Sequence, residues 1–130
     1  MQVNKGEINQ SKKTMQIIIK ATQLELTDAL NQYAEDRIKS LEKYIGRFET
    51  QGEAIARVEL ARTTQHHRNG DVFNVEVNLH MNGDVIRAAR DGEEMYATID
   101  EVKDILKLEI QKYKDLHVEK PISDAQRAGE

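Results

Sequence analysis

The sequence predicts an α+β fold: a single β-α-β-β-β-α domain in which a four-stranded mixed sheet carries two helices packed on one face. Three observations favour it. The chain has 130 residues, a length typical of one domain. Most of the predicted strands alternate apolar and polar residues, as strands covered on one face do. Two longer segments repeat apolar residues at steps of three or four, as amphipathic helices do.

The domain is expected over residues 15–116, between two polar ends. Residues 1–14 and 117–130 carry too little apolar surface to order themselves, so we predict a flexible leader and a flexible tail. The leader also lacks the apolar core of a signal peptide.

The first strand and the first helix open the domain. Residues 15–21 form a short β-rich run with alternate apolar residues. Thr27 is a favourable N-cap, and Asp28 adds negative charge at the positive end of the helix dipole. Gly46 is expected to end the helix. Its apolar stripe consists of Leu30, Ala34, Ile38, Leu41, Ile45 and Phe48.

Three strands and a second helix follow. Strands are predicted at residues 54–64, 72–81 and 85–90, and Asn82-Gly83 between the last two favours a tight hairpin because both turn positions want positive φ. The inward residues are expected to be Ala56, Val58, Leu60, Phe73, Val75, Val77, Leu79 and Met81. If the first two strands are adjacent, the helix between them makes them parallel.

The second helix is predicted to run to about Leu116. Asp91 is expected as its N-cap, with Glu94 reaching back in a capping box. Its stripe consists of Met95, Ile99, Val102, Leu106, Ile110 and Tyr113. Because the sheet has one polar face, both helices are expected on the other one.

Composition excludes several classes of protein. The chain carries 19 Lys and Arg against 23 Asp and Glu, a net charge of −4, which excludes a uniformly basic nucleic-acid coat but leaves room for a local basic patch. Without cysteine there are no disulfides, thiolate nucleophiles or zinc–thiolate sites, which fits a cytoplasmic protein. No apolar run approaches the roughly 18 residues of a membrane span, so no membrane partner is expected.

The sequence offers no catalytic constellation. The adjacent pair His66 and His67 points in two directions in extended chain and chelates one metal poorly, so a solvated loop is favoured. Asp100, Glu101 and Asp104 are typical of an exposed helix surface, with Lys103 and Lys107 as their partners. We therefore predict a protein that is not an enzyme, with no metal, no cofactor and no small-molecule substrate.

Basic residues gather toward the ends of both predicted helices. One interpretation is complementarity to the helix dipoles, which requires no partner. The other is a phosphate-facing patch on an otherwise acidic protein. Composition alone favours the first, and the polar sheet face, where Arg and Glu interleave, is equally ambiguous.

Several short motifs together carry a resemblance to a known family. The most specific is the string Met95-Tyr-Ala-Thr-Ile-Asp100, preceded by Gly92-Glu-Glu. Close matches also lie at residues 77–83 and 86–88 and at Lys112-Tyr-Lys114, and less close ones lie at residues 15–21, 24–30 and 41–44, the last together with Arg47. In these motifs the chain resembles short forms of the ribosome hibernation-promoting factor family, which includes the ribosome-associated inhibitor proteins. The resemblance covers about residues 15–116.

The resemblance implies a translation inhibitor that binds the small ribosomal subunit. Members occupy the decoding region, block initiation and stabilise inactive ribosomes, mainly through basic side chains on rRNA phosphates. By position, the implied rRNA contacts are Arg37, Lys43, Arg47, Lys112 and Lys114. Long members carry a second domain that pairs ribosomes, and the sequence stops before it, so we expect a monomer in solution. Met95, Tyr96 and Ile99 also match, but their spacing assigns them to the core.

The sequence departs from the family in the middle of the second helix. Where the family often has Lys or Arg, this chain has Ile105 and Leu108, beside Glu109. A second hypothesis is therefore a protein–protein module that self-associates through Ile105 and Leu108. A third is a reader of double-stranded RNA shape. The Met95–Asp100 string favours the ribosome-binding inhibitor.

Overall fold

The computed structural model describes residues 15–45, 54–64 and 71–119. Its elements are β1 (Met15–Thr22), helix α1 (Asp28–Lys39), the short helix α2 (Glu42–Ile45), β2 (Ala54–Thr64), β3 (Asp71–Met81), β4 (Asp84–Gly92) and helix α3 (Met95–Lys114). A π-helical turn, Asp115–Glu119, follows α3. The predicted leader, residues 120–130 of the predicted tail and the His66-His67 loop lie outside the described residues.

The four strands form one mixed sheet in the order β1-β2-β3-β4. β1 and β2 pair in parallel, and the two later pairs are antiparallel. The first connection runs through α1, as a parallel pair requires. The predicted four-stranded mixed sheet is confirmed.

Both long helices cover the same face of this sheet. Ala34 and Ile38 of α1, and Ile99 and Leu106 of α3, are almost fully buried in one core cluster. The same cluster holds the inward residues of the strands, which are Ala54, Ala56, Val58, Leu60, Val75, Val77, Leu79, Met81, Ile86 and Ala88. Phe73 and Tyr113 pack against its margin and are only partly buried.

The first predicted helix is interrupted, and it does not run unbroken to Gly46. Ser40 Oγ donates to the Arg37 carbonyl at 2.7 Å, and the Leu41 N–H donates to the Ile38 carbonyl at 3.0 Å. These three-residue closures tighten the chain between α1 and α2. Leu41 and Ile45 still reach the core, while Gly46 and Phe48 lie outside the described residues.

Local signals at two other points are confirmed. Thr27 caps α1, because its Oγ1 accepts the Leu30 N–H at 3.1 Å. Asn82 and Gly83 take φ values of 53° and 82°, which the predicted hairpin turn requires.

The predicted cap of α3 is wrong by three residues. Asp91 lies in β4, opposite Asn74, whose side-chain amide donates to Asp91 Oδ1 at 2.7 Å. Glu94 is the N-cap: its Oε1 accepts the Ala97 N–H at 2.9 Å. The capping-box pattern failed because β4 continues through Gly92 and uses Asp91 as a strand residue.

A close approach at Gly92 joins β4 to α3. A Cβ atom at Gly92 would overlap Thr98 Oγ1. Thr98 is buried, and its hydroxyl donates to the Glu94 carbonyl at 2.7 Å. The hydroxyl therefore loses this bond if it rotates away from an added methyl group.

Gly92→Ala is expected to lower the free energy of unfolding by about 1–3 kcal/mol through overpacking. Urea denaturation measures the loss, and a double-mutant cycle with Thr98→Ala tests its cause. The second substitution removes the overlapped hydroxyl, so part of the stability returns in the double variant. Strictly additive effects would contradict this contact.

Candidate nucleic-acid interface

The candidate interface lies on the helical side of the molecule, where α1, α2 and α3 meet. α3 packs against both α1 and α2 in the core layer. Each helix has a buried side, an outward side and two flanks between them. Because the helices are neighbours, a flank of one lies beside a flank of the next. The predicted contact residues are distributed unevenly over this surface.

Arg37 bonds within the protein. Its Nε lies 2.9 Å from Asp100 Oδ1, and one terminal nitrogen donates to the Tyr33 hydroxyl at 3.0 Å. Its guanidinium carbon also lies 4.2 Å from the centre of the Tyr33 ring. The bond to Asp100, then that to Tyr33, raises the pKa of Arg37 above its ordinary value. A phosphate at Arg37 would have to compete with Asp100.

The Met95–Asp100 string has two structural roles. Met95 and Ile99 are core residues, as predicted. Tyr96 is not: it is 37% exposed and meets the Tyr33 ring edge to face, with 4.7 Å between the ring centres. Tyr96 follows Met95 by one residue, about 100° around the helix, which places it on the flank. Tyr96 and Asp100 therefore hold α1 against α3.

Two lysines lie over the ring of Tyr44 between α2 and α3, and Lys103 lies one helical turn before one of them. The Nζ atoms of Lys107 and Lys43 lie 5.0 Å and 5.4 Å from the centre of the Tyr44 ring. A hydrogen bond with Lys107 lowers the pKa of Tyr44, and the charges of Lys107, Lys43 and Lys103 lower it further against the opposing effect of burial. We call Lys43, Lys103 and Lys107 the lysine cluster.

Sequence reasoning missed most of the lysine cluster. Lys43 was a predicted contact, whereas Lys103 and Lys107 were interpreted as helix-surface charges. Their spacing of four residues places them on one flank of α3, and that signal was available. The sequence does not reveal that this flank faces Tyr44.

The end of α3 positions the remaining predicted contacts. The Tyr113 hydroxyl donates to Asp84 Oδ2 at 2.8 Å and ties α3 to the β3–β4 hairpin. Lys112 and Lys114 flank Tyr113 and lie about 200° apart around the helix. Lys112 Nζ is 3.4 Å from Glu109 Oε2, and Lys114 continues the flank of Lys103 and Lys107. Arg47 lies outside the described residues.

The chemistry of this surface is that of cations held near an aromatic ring. In the described part of the chain, no three His, Cys, Asp or Glu side chains are grouped to hold a metal. No helix among the described residues is long and apolar enough to cross a membrane. The lysine cluster can neutralise an anion, and the Tyr44 hydroxyl can donate a hydrogen bond to it.

Comparison with known proteins places the chain in a family. Residues 17–117 match the family model described as sigma 54 modulation protein / S30EA ribosomal protein. The chain belongs to the S30EA ribosomal protein family. It is 32% identical over 106 residues to the ribosome hibernation promoting factor of Azotobacter vinelandii, which covers 82% of this chain and 89% of that relative.

Other S30EA family relatives are longer. The ribosome hibernation promotion factor of Picosynechococcus sp. is 29% identical over 102 residues, which are 78% of this chain but 50% of that protein. Among solved structures, the N-terminal domain of Thermus thermophilus Protein Y is similar with a TM-score of 0.61 and 25% identity, over 76% of this chain and 99% of that domain. The resemblance and the fold class inferred from the sequence are confirmed.

Lys107→Gln is expected to raise the pKa of Tyr44 toward its ordinary value. A nearby ammonium stabilises the phenolate, so its removal favours the protonated phenol. Ultraviolet absorbance during an alkaline titration measures the change, with Tyr44→Phe identifying the contribution of this tyrosine. Lys112→Gln serves as the control and leaves the titration unchanged. Equal behaviour of the two variants would contradict the Lys107–Tyr44 contact.

Proposed function

We propose that this chain is a non-catalytic, cytoplasmic translation inhibitor that binds the decoding region of the small ribosomal subunit through rRNA phosphates and stabilises inactive ribosomes. The observation that carries the proposal is the lysine cluster around Tyr44, on a chain with net charge −4. Membership of the S30EA family and relatives named for ribosome hibernation support the ribosome as partner.

Electrostatics favours the helical side as the surface that meets RNA. Phosphate contacts by lysine and arginine supply a large share of the affinity of such interfaces. On the open face of the sheet, Glu59 and Glu76 are directly paired across β2 and β3, and Arg87 Nη2 lies 2.9 Å from Glu76 Oε2. Lys20 and Arg57 are exposed on the same face, so its charges are mixed. Because the paired carboxylates offset these cations, the sheet face is the weaker candidate.

The double variant Lys112→Glu/Lys114→Glu is expected to bind the small subunit less well while keeping its fold. Reversing charge near the end of α3 costs only about 0.3–1 kcal/mol of dipole energy per residue. Wild-type binding should weaken steeply with salt, with a slope of about 0.7 per phosphate contact as a guide from single strands. Co-sedimentation with purified small subunits at several salt concentrations measures both effects.

Lys20→Glu/Arg57→Glu is the matched control. It changes the net charge equally, but both residues are exposed on the open face of the sheet, away from the helices. The control should sediment with small subunits as the wild type does. If the control loses binding and the Lys112/Lys114 variant keeps it, the sheet face is the RNA contact. If the wild type itself fails to sediment with small subunits, the proposed function is wrong.

Self-association through α3 is the alternative function. The two residues predicted to carry it differ in exposure. Ile105 is partly buried and packs against the core, whereas Leu108 is 58% exposed. A docking surface usually needs a contiguous apolar patch of several hundred Å², roughly. Leu116, in the turn after α3, is also exposed, at 61%, but it lies eight residues further along the chain. Two leucines spaced in this way do not provide such a patch, so we propose a monomer.

Light scattering at micromolar concentration is expected to give the mass of a monomer for the wild type. Leu108→Lys should not change that mass, because no interface is lost. A stable dimer that Leu108→Lys dissociates would overturn the monomer and favour the protein–protein module. A dimer insensitive to Leu108→Lys would place the interface elsewhere on the chain.

A further inference from the structure

The outward face of α3 is a poor phosphate-binding surface in this chain. Leu108 is exposed there, and Ile105 turns partly into the core. Lys112 is 70% exposed in its side chain, and its pair with Glu109 at 3.4 Å is an exposed one that a phosphate can replace. An incoming phosphate on this face would therefore meet one lysine beside an apolar side chain, without a second lysine or an aromatic hydroxyl next to it.

The flank of α3 that faces α2 has the opposite character. Lys103 and Lys107 lie one helical turn apart on this flank. Lys107 contacts the ring of Tyr44, and Lys43 contacts the same ring from α2. The acidic neighbour of Lys43 is occupied elsewhere, because Glu42 Oε2 accepts the Met15 N–H at 3.2 Å. Asp104 does pair with Lys103 at 3.2 Å, and the side chain of Asp104 is 70% exposed while that of Lys103 is 28% exposed. Ion pairs with a solvent-exposed partner contribute little, so a phosphate that reaches the ammonium group of Lys103 can replace Asp104.

Tyr44 completes the geometry of an anion site. Like charges in close proximity repel one another, and the electron-rich ring offsets part of that repulsion through cation–π contacts. The hydroxyl group of Tyr44 can donate a hydrogen bond to a phosphate oxygen. An ammonium–phosphate contact with such a neutral donor beside it is a charge-assisted pair, the stronger class of hydrogen bond.

We propose that Lys43, Lys103, Lys107 and Tyr44 form the principal phosphate-binding centre of this chain, and that its ligand is the phosphodiester backbone of RNA. The main phosphate contact of this chain would then lie on the flank of α3 that faces α2. It would not lie on the outward face, where Ile105 and Leu108 replace the basic residues that the family often has. This inference rests on the proposed function, since it names the contact through which the ribosomal RNA is held.

The first experiment tests the anion site without the ribosome. Inorganic pyrophosphate is titrated into the isotope-labelled full chain at constant ionic strength, and amide NMR shifts are recorded. Saturable shifts are expected at Lys43, Tyr44, Lys103 and Lys107. Lys103→Gln/Lys107→Gln should abolish them, and Lys103→Arg/Lys107→Arg should retain them because the charge remains. Shifts of similar size at lysines across the whole surface would overturn the site.

The second experiment connects the site to RNA. In co-sedimentation with small subunits, Lys103→Gln/Lys107→Gln should weaken binding by about tenfold or more, as expected for the loss of a charge-assisted contact. The salt slope should fall by about 0.7 for each lysine that contacts a phosphate. Lys112→Gln/Lys114→Gln should have the smaller effect. Gln and Lys have similar helix propensities, and thermal unfolding checks that both variants fold.

The outcomes separate this inference from the proposed function. If the wild type sediments with small subunits and Lys103→Gln/Lys107→Gln does so equally well, the phosphate-binding centre is wrong while the ribosome remains the partner. If the wild type fails to sediment, the proposed function is wrong, and the RNA ligand is wrong with it. If Lys112→Gln/Lys114→Gln loses more binding to small subunits than Lys103→Gln/Lys107→Gln does, the principal phosphate contact lies at the end of α3 and the proposed centre is wrong.

Discussion

A four-stranded sheet with one apolar face can be covered only on that face, and this constraint determines where the helices lie. Buried residues from all four strands share a single core cluster with α1 and α3, so the two helices lie in one layer and touch each other. Their flanks then come close without being buried. Such a position suits charged side chains, because it gives fixed neighbours together with access to water.

The two ends of the helical layer use this proximity differently. At one end, Arg37, Tyr33 and Asp100 satisfy one another, so an arginine that resembles an RNA contact holds α1 to α3. At the other end, Lys43 and Lys107 lie over the Tyr44 ring, and Lys103 lies one helical turn from Lys107. Among these three lysines, the described structure shows an ion pair with a carboxylate only for Lys103. Balanced charge stabilises the layer, whereas an excess of one sign attracts a partner.

The architecture was predictable because it follows from the periodicity of apolar residues along the sequence. The contacts between elements were not predictable, because they depend on how the elements are placed in space. Alternation and turn chemistry gave β2 with its observed bounds and the Asn82-Gly83 hairpin. The cap of α3 was misplaced because Asp91 suits both a cap and a strand end, and only pairing with Asn74 decides between them. Likewise, one helix was predicted where Ser40 breaks it in two. The candidate site depends on which flanks face each other, so Lys103 and Lys107 had no assignable role before α2 was positioned.

The division of charge also explains how an acidic chain can meet an anionic partner. The net charge of −4 acts at long range and is screened within about 8 Å at physiological ionic strength. Close to the surface, the nearest side chains determine the potential, and Glu59 and Glu76 lie on the sheet face, across the core from the lysine cluster. A phosphate chain that approaches the sheet face meets basic and acidic side chains in alternation, and one that approaches the helical layer meets the lysine cluster. The charges on the sheet face largely balance, so the local excess of lysines on the helical layer favours the approach through the helices.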